Sequence, residues 1–99
     1  MIRHIVAWNL KDGFSETENT ENAKRIKTVL EELPKFIKEI VSISVSISPA
    51  STSDRQIILN SLFKSQEDLE SYKIHPAHVE AGKFIRSVVK DRVCLDFEE

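Results

Sequence analysis

The sequence predicts an α+β domain of order β-α-β-β-α-β, a four-stranded antiparallel sheet with helices on one face. Three observations carry this. Four stretches alternate in the two-residue period of strands. The stretches between the outer pairs repeat apolar residues at helical spacing behind capping signals. Gly and Pro number only 2 and 3 in 99 residues, so regular elements are long and loops few.

Ile2 to Leu10 reads as the first strand. Ile2, His4, Val6, Trp8 and Leu10 share one face, and Arg3, Ile5, Ala7 and Asn9 the other. Lys11-Asp12-Gly13 supplies turn chemistry. Ser15-Glu16-Thr17-Glu18 has the form of a capping box, in which hydroxyl and carboxylate each satisfy a free backbone N–H. Behind it Ala23, Ile26, Leu30 and Leu33 recur at helical spacing beside Val29, while Lys24, Arg25, Lys27, Glu31 and Glu32 take the wet side. Pro34 ends the helix, and Phe36 to Ile40 is read as a short extra turn. Val41 to Ser48 alternates apolar with serine, the pattern of a half-buried strand. Arg55 to Lys64 is a third strand, with Ile57, Leu59 and Phe63 on one face. Ser65 caps a short helix through Leu69 and Tyr72. Pro76 suits the first position of a new helix, whose expected apolar stripe is Val79, Gly82, Ile85 and Val89. Asp91 to Glu98 closes the chain as a strand with Val93, Leu95 and Phe97 alternating.

This order is the ferredoxin-like βαββαβ arrangement, a single domain over residues 1–99. Two helical regions cover one face of the sheet. Strands one and three carry apolar residues on both faces, so the second face is expected to meet another copy, giving a homodimer. The serines of strand two make part of that face polar.

Net charge is −2, which lacks the basic footprint of nucleic-acid binding. No apolar run approaches the roughly 18 residues of a membrane span. The opening residues read as a strand and not as a signal peptide, and the lone Cys94 has no disulfide partner within the chain. The expected setting is a reducing cytoplasm.

The chemically suggestive segment is His75-Pro76-Ala77-His78. With His75 as cap and Pro76 first, His78 falls in the first helical turn, where the helix end disfavours positive charge. A neutral imidazole there is poised as a base or a donor. Tyr72 lies six residues earlier, able to orient a carbonyl or enol, and His4 shares its strand face with Val6 and Trp8. Cofactor-free proton transfer next to a carbonyl is the chemistry this set supports. The plainer alternative makes the His-Pro pair a cap and stop, Tyr72 and Trp8 core residues, and His4 a buried, hydrogen-bonded strand residue. Three histidines invite a metal reading, but no carboxylate completes a recognisable spacing, so neither metal nor cofactor is assigned. Cys94 reads as an inert thiol.

Four segments go further when taken in order: Met1-Ile2-Arg3-His4-Ile5-Val6, Ser61 to Leu69, Tyr72 to His78, and Arg92 to Phe97. Together they resemble the stress-responsive A/B-barrel (Dabb) family over nearly the whole chain. The resemblance implies a ferredoxin-like dimer whose two sheets close into an α+β barrel. It also implies a cleft between sheet and helices. In plant members that are polyketide cyclases, the cleft is lined by a histidine of the His-Pro-x-His turn, a tyrosine six residues before it and a histidine of the first strand. The matching positions are His78, Tyr72 and His4. Ala23, Ile26 and Leu30 stand where the cyclases are richer in aromatics. The expected function is binding of a small apolar ligand, with Val6, Trp8, Ile26, Leu30 and His75 beside the polar trio. The first alternative is a cofactor-free cyclase or isomerase using His78 and Tyr72. The others are a cofactor-free monooxygenase of similar fold and a purely structural dimer whose side chains fill the pocket.

Overall fold

A computed structural model describes residues Met1–Glu99. The elements are β1 (Ile2–Leu10), α1 (Glu16–Glu31), a single 3-10 turn (Leu33–Lys35), β2 (Ile40–Ser46), β3 (Ile57–Phe63), α2 (Gln66–Ile74), α3 (Pro76–Val88) and β4 (Val89–Glu98). The sheet order is β2-β3-β1-β4, every pair antiparallel. This is the ferredoxin-like α+β fold.

The core lies between the sheet and the helices. Val6, Trp8, Leu59 and Phe63 of the sheet meet Ile26 and Leu30 of α1, Leu69 and Tyr72 of α2, and Ile85 and Val88 of α3. Ser15 caps α1 by accepting from the Glu18 N–H at 3.0 Å, and Glu18 accepts from the Ser15 N–H at 2.8 Å. Ser65 caps α2 through the Asp68 N–H.

Four details depart from the sequence expectation, each for a local reason. An additional turn forms at Leu33–Lys35, because Pro34 fits the start of a 3-10 turn, and the expected turn follows it, with the Ile40 N–H donating to the Ile37 carbonyl at 3.4 Å. A register shift between Ile40 and Ser42 starts β2 one residue early, burying Ile40 and turning Val41 outward. In α3, Val79 is exposed and the buried face runs through Ile85 and Val88. Finally, α3 passes into β4 with no loop, so Val89 is a strand residue. A bulge follows, where Asp91 and Arg92 span one position of β1. Asp91 takes φ 56°, a conformation its short side chain tolerates.

The β1–β4 register decides which residues of β4 face the helices. His4 pairs with Asp96 and Val6 with Cys94. The helix side of β4 is therefore polar. Val93, Leu95 and Phe97 lie on the open side, at 38%, 59% and 47% exposure. Beside them on that side are Ile5, Ile58 and Leu62, with Ser42, Ser44 and Ser46 toward the β2 edge.

The wet face of α1 is partly structural. Val45 lies on β2, an edge strand. Its N–H donates to Glu31 Oε2 at 2.9 Å and its carbonyl accepts from Lys27 Nζ at 2.6 Å. Lys27 and Glu31 are themselves paired at 2.8 Å. Arg25 stacks on Phe84 at 4.0 Å, tying α1 to α3. The Lys27 and Glu31 contacts to Val45 blunt an edge that would otherwise present free backbone groups. Glu31→Ala should cost about 1 kcal/mol in urea unfolding and speed hydrogen exchange at the Val45 amide. Unchanged exchange at Val45 would refute this role for Glu31.

Candidate functional site

A cleft of about 370 Å³ opens between the sheet and the α2–α3 corner. Val6, Trp8 and Leu59 form its floor, and Leu30 and Ile85 its apolar walls. His4, Tyr72 and His78 supply its polar interior, while Lys73, Arg86 and Arg92 border it beside Gly82. Of the residues expected at a site, His4, Tyr72, His78, Val6, Trp8 and Leu30 come together here. Ile26 does not: it is wholly buried one turn before Leu30, packed in the core. Nor does His75, whose Nδ1 accepts the Ala77 N–H at 3.1 Å and so caps α3.

Pro76 begins α3 immediately after the His75 cap, so α2 and α3 meet at a break. The break brings the Tyr72 and His78 rings together in a tilted stack, with centroids 4.4 Å apart. Tyr72 also packs on Phe63 at 4.9 Å and on His4 at 6.1 Å. Its side chain is fully buried, and its hydroxyl has no hydrogen-bond partner in the protein. Burial pushes the phenol well above its ordinary value, so it stays protonated and available as a donor.

Both cleft histidines have fixed roles for one ring nitrogen. His78 Nδ1 lies 3.0 Å from the Lys73 carbonyl. A carbonyl only accepts, so Nδ1 carries the proton and Nε2 is left as the basic nitrogen. Burial lowers the His78 pKa; the Lys73 carbonyl opposes this, and His4, Arg86 and Arg92 reinforce it. The ring stands in the first turn of α3, and burial is the leading cause of the lowering. His4 Nδ1 bonds Asp96 Oδ1 at 2.5 Å. Burial lowers the His4 pKa; Asp96 opposes this, and Lys73 and Arg92 reinforce it. Burial works to raise the Asp96 carboxyl, but the bond and charge of His4, the Cys94 hydrogen bond and the nearby Lys73 together hold that group below its usual value. Near neutral pH a neutral His4 therefore donates to a carboxylate, which fixes its orientation.

The grouping with metal-ligand chemistry is His4, Cys94 and Asp96, whose ligand atoms lie within 4.8 Å of one another, not the three histidines. These groups already bond one another: the Cys94 thiol donates to Asp96 at 3.6 Å. Burial, then the Asp96 charge, push that thiol up, which disfavours the thiolate a metal needs. Lys73 and Arg92 also act on it as nearby cations.

Sequence reasoning missed Asp96 and the three cations. The alternation of Val93, Leu95 and Phe97 suggests a core face for β4, which would leave Asp96 outside. The signal that locates Asp96 is register. Antiparallel pairing of the two terminal strands brings residue 4 opposite residue 96. Arg86 follows from helical spacing, since His78, Gly82, Ile85 and Arg86 share one face of α3.

Fold and cleft together define a ferredoxin-like domain with a one-sided pocket holding two neutral imidazoles and a buried phenol. The chain belongs to the stress responsive A/B barrel domain family, Dabb, whose pattern it matches over residues 2–99. Two Arabidopsis thaliana relatives are stress-response A/B barrel domain-containing proteins. One is 25% identical over 98% of this chain and 46% of its own length. The other is 31% identical over 84% of this chain and 30% of its own length. The chain thus spans less than half of either relative. Among solved structures it is similar to a dimeric, ferredoxin-like protein of unknown function from Bacteroides fragilis. The two share 32% identity at a TM-score of 0.91, over 99% of this chain and 95% of that one.

The histidine environments set a pH dependence. Unfolded histidines take up protons near 6.5, whereas the folded chain holds His4 and His78 neutral to lower pH. Below 6.5 the unfolded state therefore binds more protons, and stability falls as pH falls, by at most about 1.4 kcal/mol per unit for each histidine. Chemical denaturation between about pH 8 and pH 5 should show this decline, and His78→Gln should flatten it. A profile level across that whole range would contradict the assigned burial effect.

Proposed function

We propose that this chain is a small-ligand-binding Dabb domain that works as a homodimer. Its ligand lies in the cleft between β1 and the α2–α3 corner. The observation that carries the reading is the buried Tyr72 hydroxyl, unpartnered in the protein, on a residue that lines a cleft with an apolar floor. A buried donor without an acceptor costs about 1–3 kcal/mol, and a ligand oxygen placed against it recovers much of that cost. The cleft volume of about 370 Å³ falls within the roughly 300–1,000 Å³ of small-molecule pockets. It also argues against a purely structural dimer with a self-filled pocket.

The dimer reading rests on the open sheet face, where Val93, Leu95 and Phe97 are exposed together. The dimeric state of the similar Bacteroides fragilis protein supports it. Burying such a face adds apolar contact to a domain whose own core is small.

A second reading, cofactor-free acid–base chemistry of the cyclase or isomerase kind, is favoured by the state of His78. Its Nδ1 is committed to Lys73, leaving Nε2 free to accept a proton from a carbon next to a carbonyl. The Tyr72 phenol would donate to the developing enolate oxygen. No hydrogen bond joins the two rings, so each is free to act on a ligand.

Trp8 is the sole tryptophan and lines the cleft, so its emission reports occupancy directly. Titration with the neutral fluorophore N-phenylnaphthylamine should quench it saturably, and Gly82→Phe, which fills the cleft, should abolish the response. No saturable change in the parent protein would overturn the ligand-binding reading. Light scattering should give twice the chain mass at micromolar concentration, and Leu95→Lys should halve it. A parent protein of single-chain mass would remove the dimer from the proposal. If the acid–base reading holds, His78→Gln should slow deuterium exchange at the acidic C–H of a bound ketone by about 100-fold or more.

A further inference from the structure

The sequence leads one to expect a cleft suited to an apolar ligand, yet its border is cationic. Lys73, Arg86 and Arg92 all line it, and no acidic side chain does. Lys73 reaches Glu70 at 3.4 Å on the surface. Arg86 and Arg92 take part in none of the protein's ion pairs. Asp96, on the β4 face shared with Arg92 and Cys94, is bonded to His4 and Cys94. Guanidinium groups left unpaired beside a low-dielectric cleft form a site for a planar anion.

The backbone of α3 is arranged to bring one of them in. Gly82 lies mid-helix, where glycine costs about 1 kcal/mol relative to alanine. A Cβ at that position would stand 3.0 Å from Arg86 Nη1. The guanidinium of the exposed Arg86 therefore lies back along α3 over Gly82, one turn toward His78. Arg92 approaches from β4 on the strand face shared with Cys94 and Asp96. The Tyr72 hydroxyl supplies the independent sign of a ligand, a buried donor with no acceptor in the protein.

We propose that the cleft selects a small apolar carboxylate, with its hydrocarbon or aryl body on Val6 and Trp8, its anionic head held by Arg86 and Arg92, and an oxygen accepting from Tyr72. This rests on the ligand-binding reading above and names the ligand class. A carboxylate suits Arg better than a point anion does, because two N–H groups match its two oxygens. Neutral His4 and His78 add no competing positive charge in the interior, so the negative head is drawn to the arginine side and the apolar body to the floor.

Phenylacetate and phenylacetamide test this, since they differ in charge and hardly in shape. Amide resonances of the intact protein would be titrated with each at neutral pH, with Trp8 emission under the neutral naphthylamine as a parallel readout. Phenylacetate should bind about tenfold more tightly than the amide at low salt, and the gap should narrow as salt screens the cleft mouth. Arg86→Gln with Arg92→Gln should weaken phenylacetate far more than phenylacetamide and so close the gap between them. Equal affinities in the parent protein, or a preference that survives the double substitution, would overturn the carboxylate assignment even where the naphthylamine still binds. Failure of all three probes would overturn the ligand-binding reading itself, and this one with it.

Discussion

The antiparallel pairing of β1 with β4 is the constraint on which the rest of this molecule depends. It runs from Ile2↔Glu98 to Leu10↔Val89, joining the two ends of the chain. The Glu99 N–H donates to the Met1 carbonyl at 2.8 Å, and Arg3 pairs with Glu99 at 2.6 Å. Because side chains alternate across a strand, this one register fixes two surfaces at once. It sends Arg92, Cys94 and Asp96 to the helix side, where the cleft is. It sends Val93, Leu95 and Phe97 to the open side, where the proposed dimer partner lies. A slip of one residue would exchange them, placing three large apolar residues in the cleft and the His4 partner in the interface.

The cleft shows how a small core holds polar rings. Histidine and tyrosine side chains lose water contacts when buried, and the loss is large unless another group replaces them. Three of the four histidine and tyrosine side chains meet here. His4 is compensated by Asp96 and His78 by the Lys73 carbonyl. Tyr72 is not compensated at its hydroxyl, though its ring packs on Phe63 and His78. Burial keeps all three neutral near pH 7, so the charge around the cleft comes from Lys73, Arg86 and Arg92 at its border and from the Asp96 carboxylate bonded to His4. Neutral rings inside and guanidinium groups at the border separate two tasks, hydrogen bonding at depth and charge recognition at the mouth.

Much of the fold was legible because local signals agreed with the global arrangement. The Ser15 and Ser65 caps, the Pro76 helix start and the alternation of β1 and β3 each encode their own element. The errors came where tertiary context decided the outcome. Val41 looks like a core residue of an alternating strand, yet a register shift gives its place to Ile40. Val93, Leu95 and Phe97 alternate as well as Ile2, Val6 and Trp8 do. Alternation says that a strand has an apolar face but not which side of the sheet that face meets. For the same reason His4, Tyr72 and His78 could be named from the sequence, whereas Asp96 and Arg92 required the pairing and register of β4. Ile26 and Leu30 sit one helical turn apart on the same face of α1. Only Leu30 borders the cleft, a distinction periodicity does not resolve.

The break at Pro76 explains why the histidine turn matters structurally whatever chemistry it supports. On one continuous helix, residues six apart stand about 120° apart around the axis and about 9 Å apart along it, too far for ring contact. Tyr72 and His78 are six apart, yet their rings meet at 4.4 Å. The chain achieves this by ending α2 at Ile74, setting His75 in an extended conformation and restarting at Pro76. Proline helps twice: it lacks the N–H that a continuous helix would need, and its fixed φ suits the first helical position. The His75 ring then caps the new helix, and the Lys73 carbonyl, near the end of α2, accepts from His78. Each histidine of the turn thus stabilises the break. The break in turn aims the phenol and the second imidazole into one cleft, so the residues that make the corner also make the site.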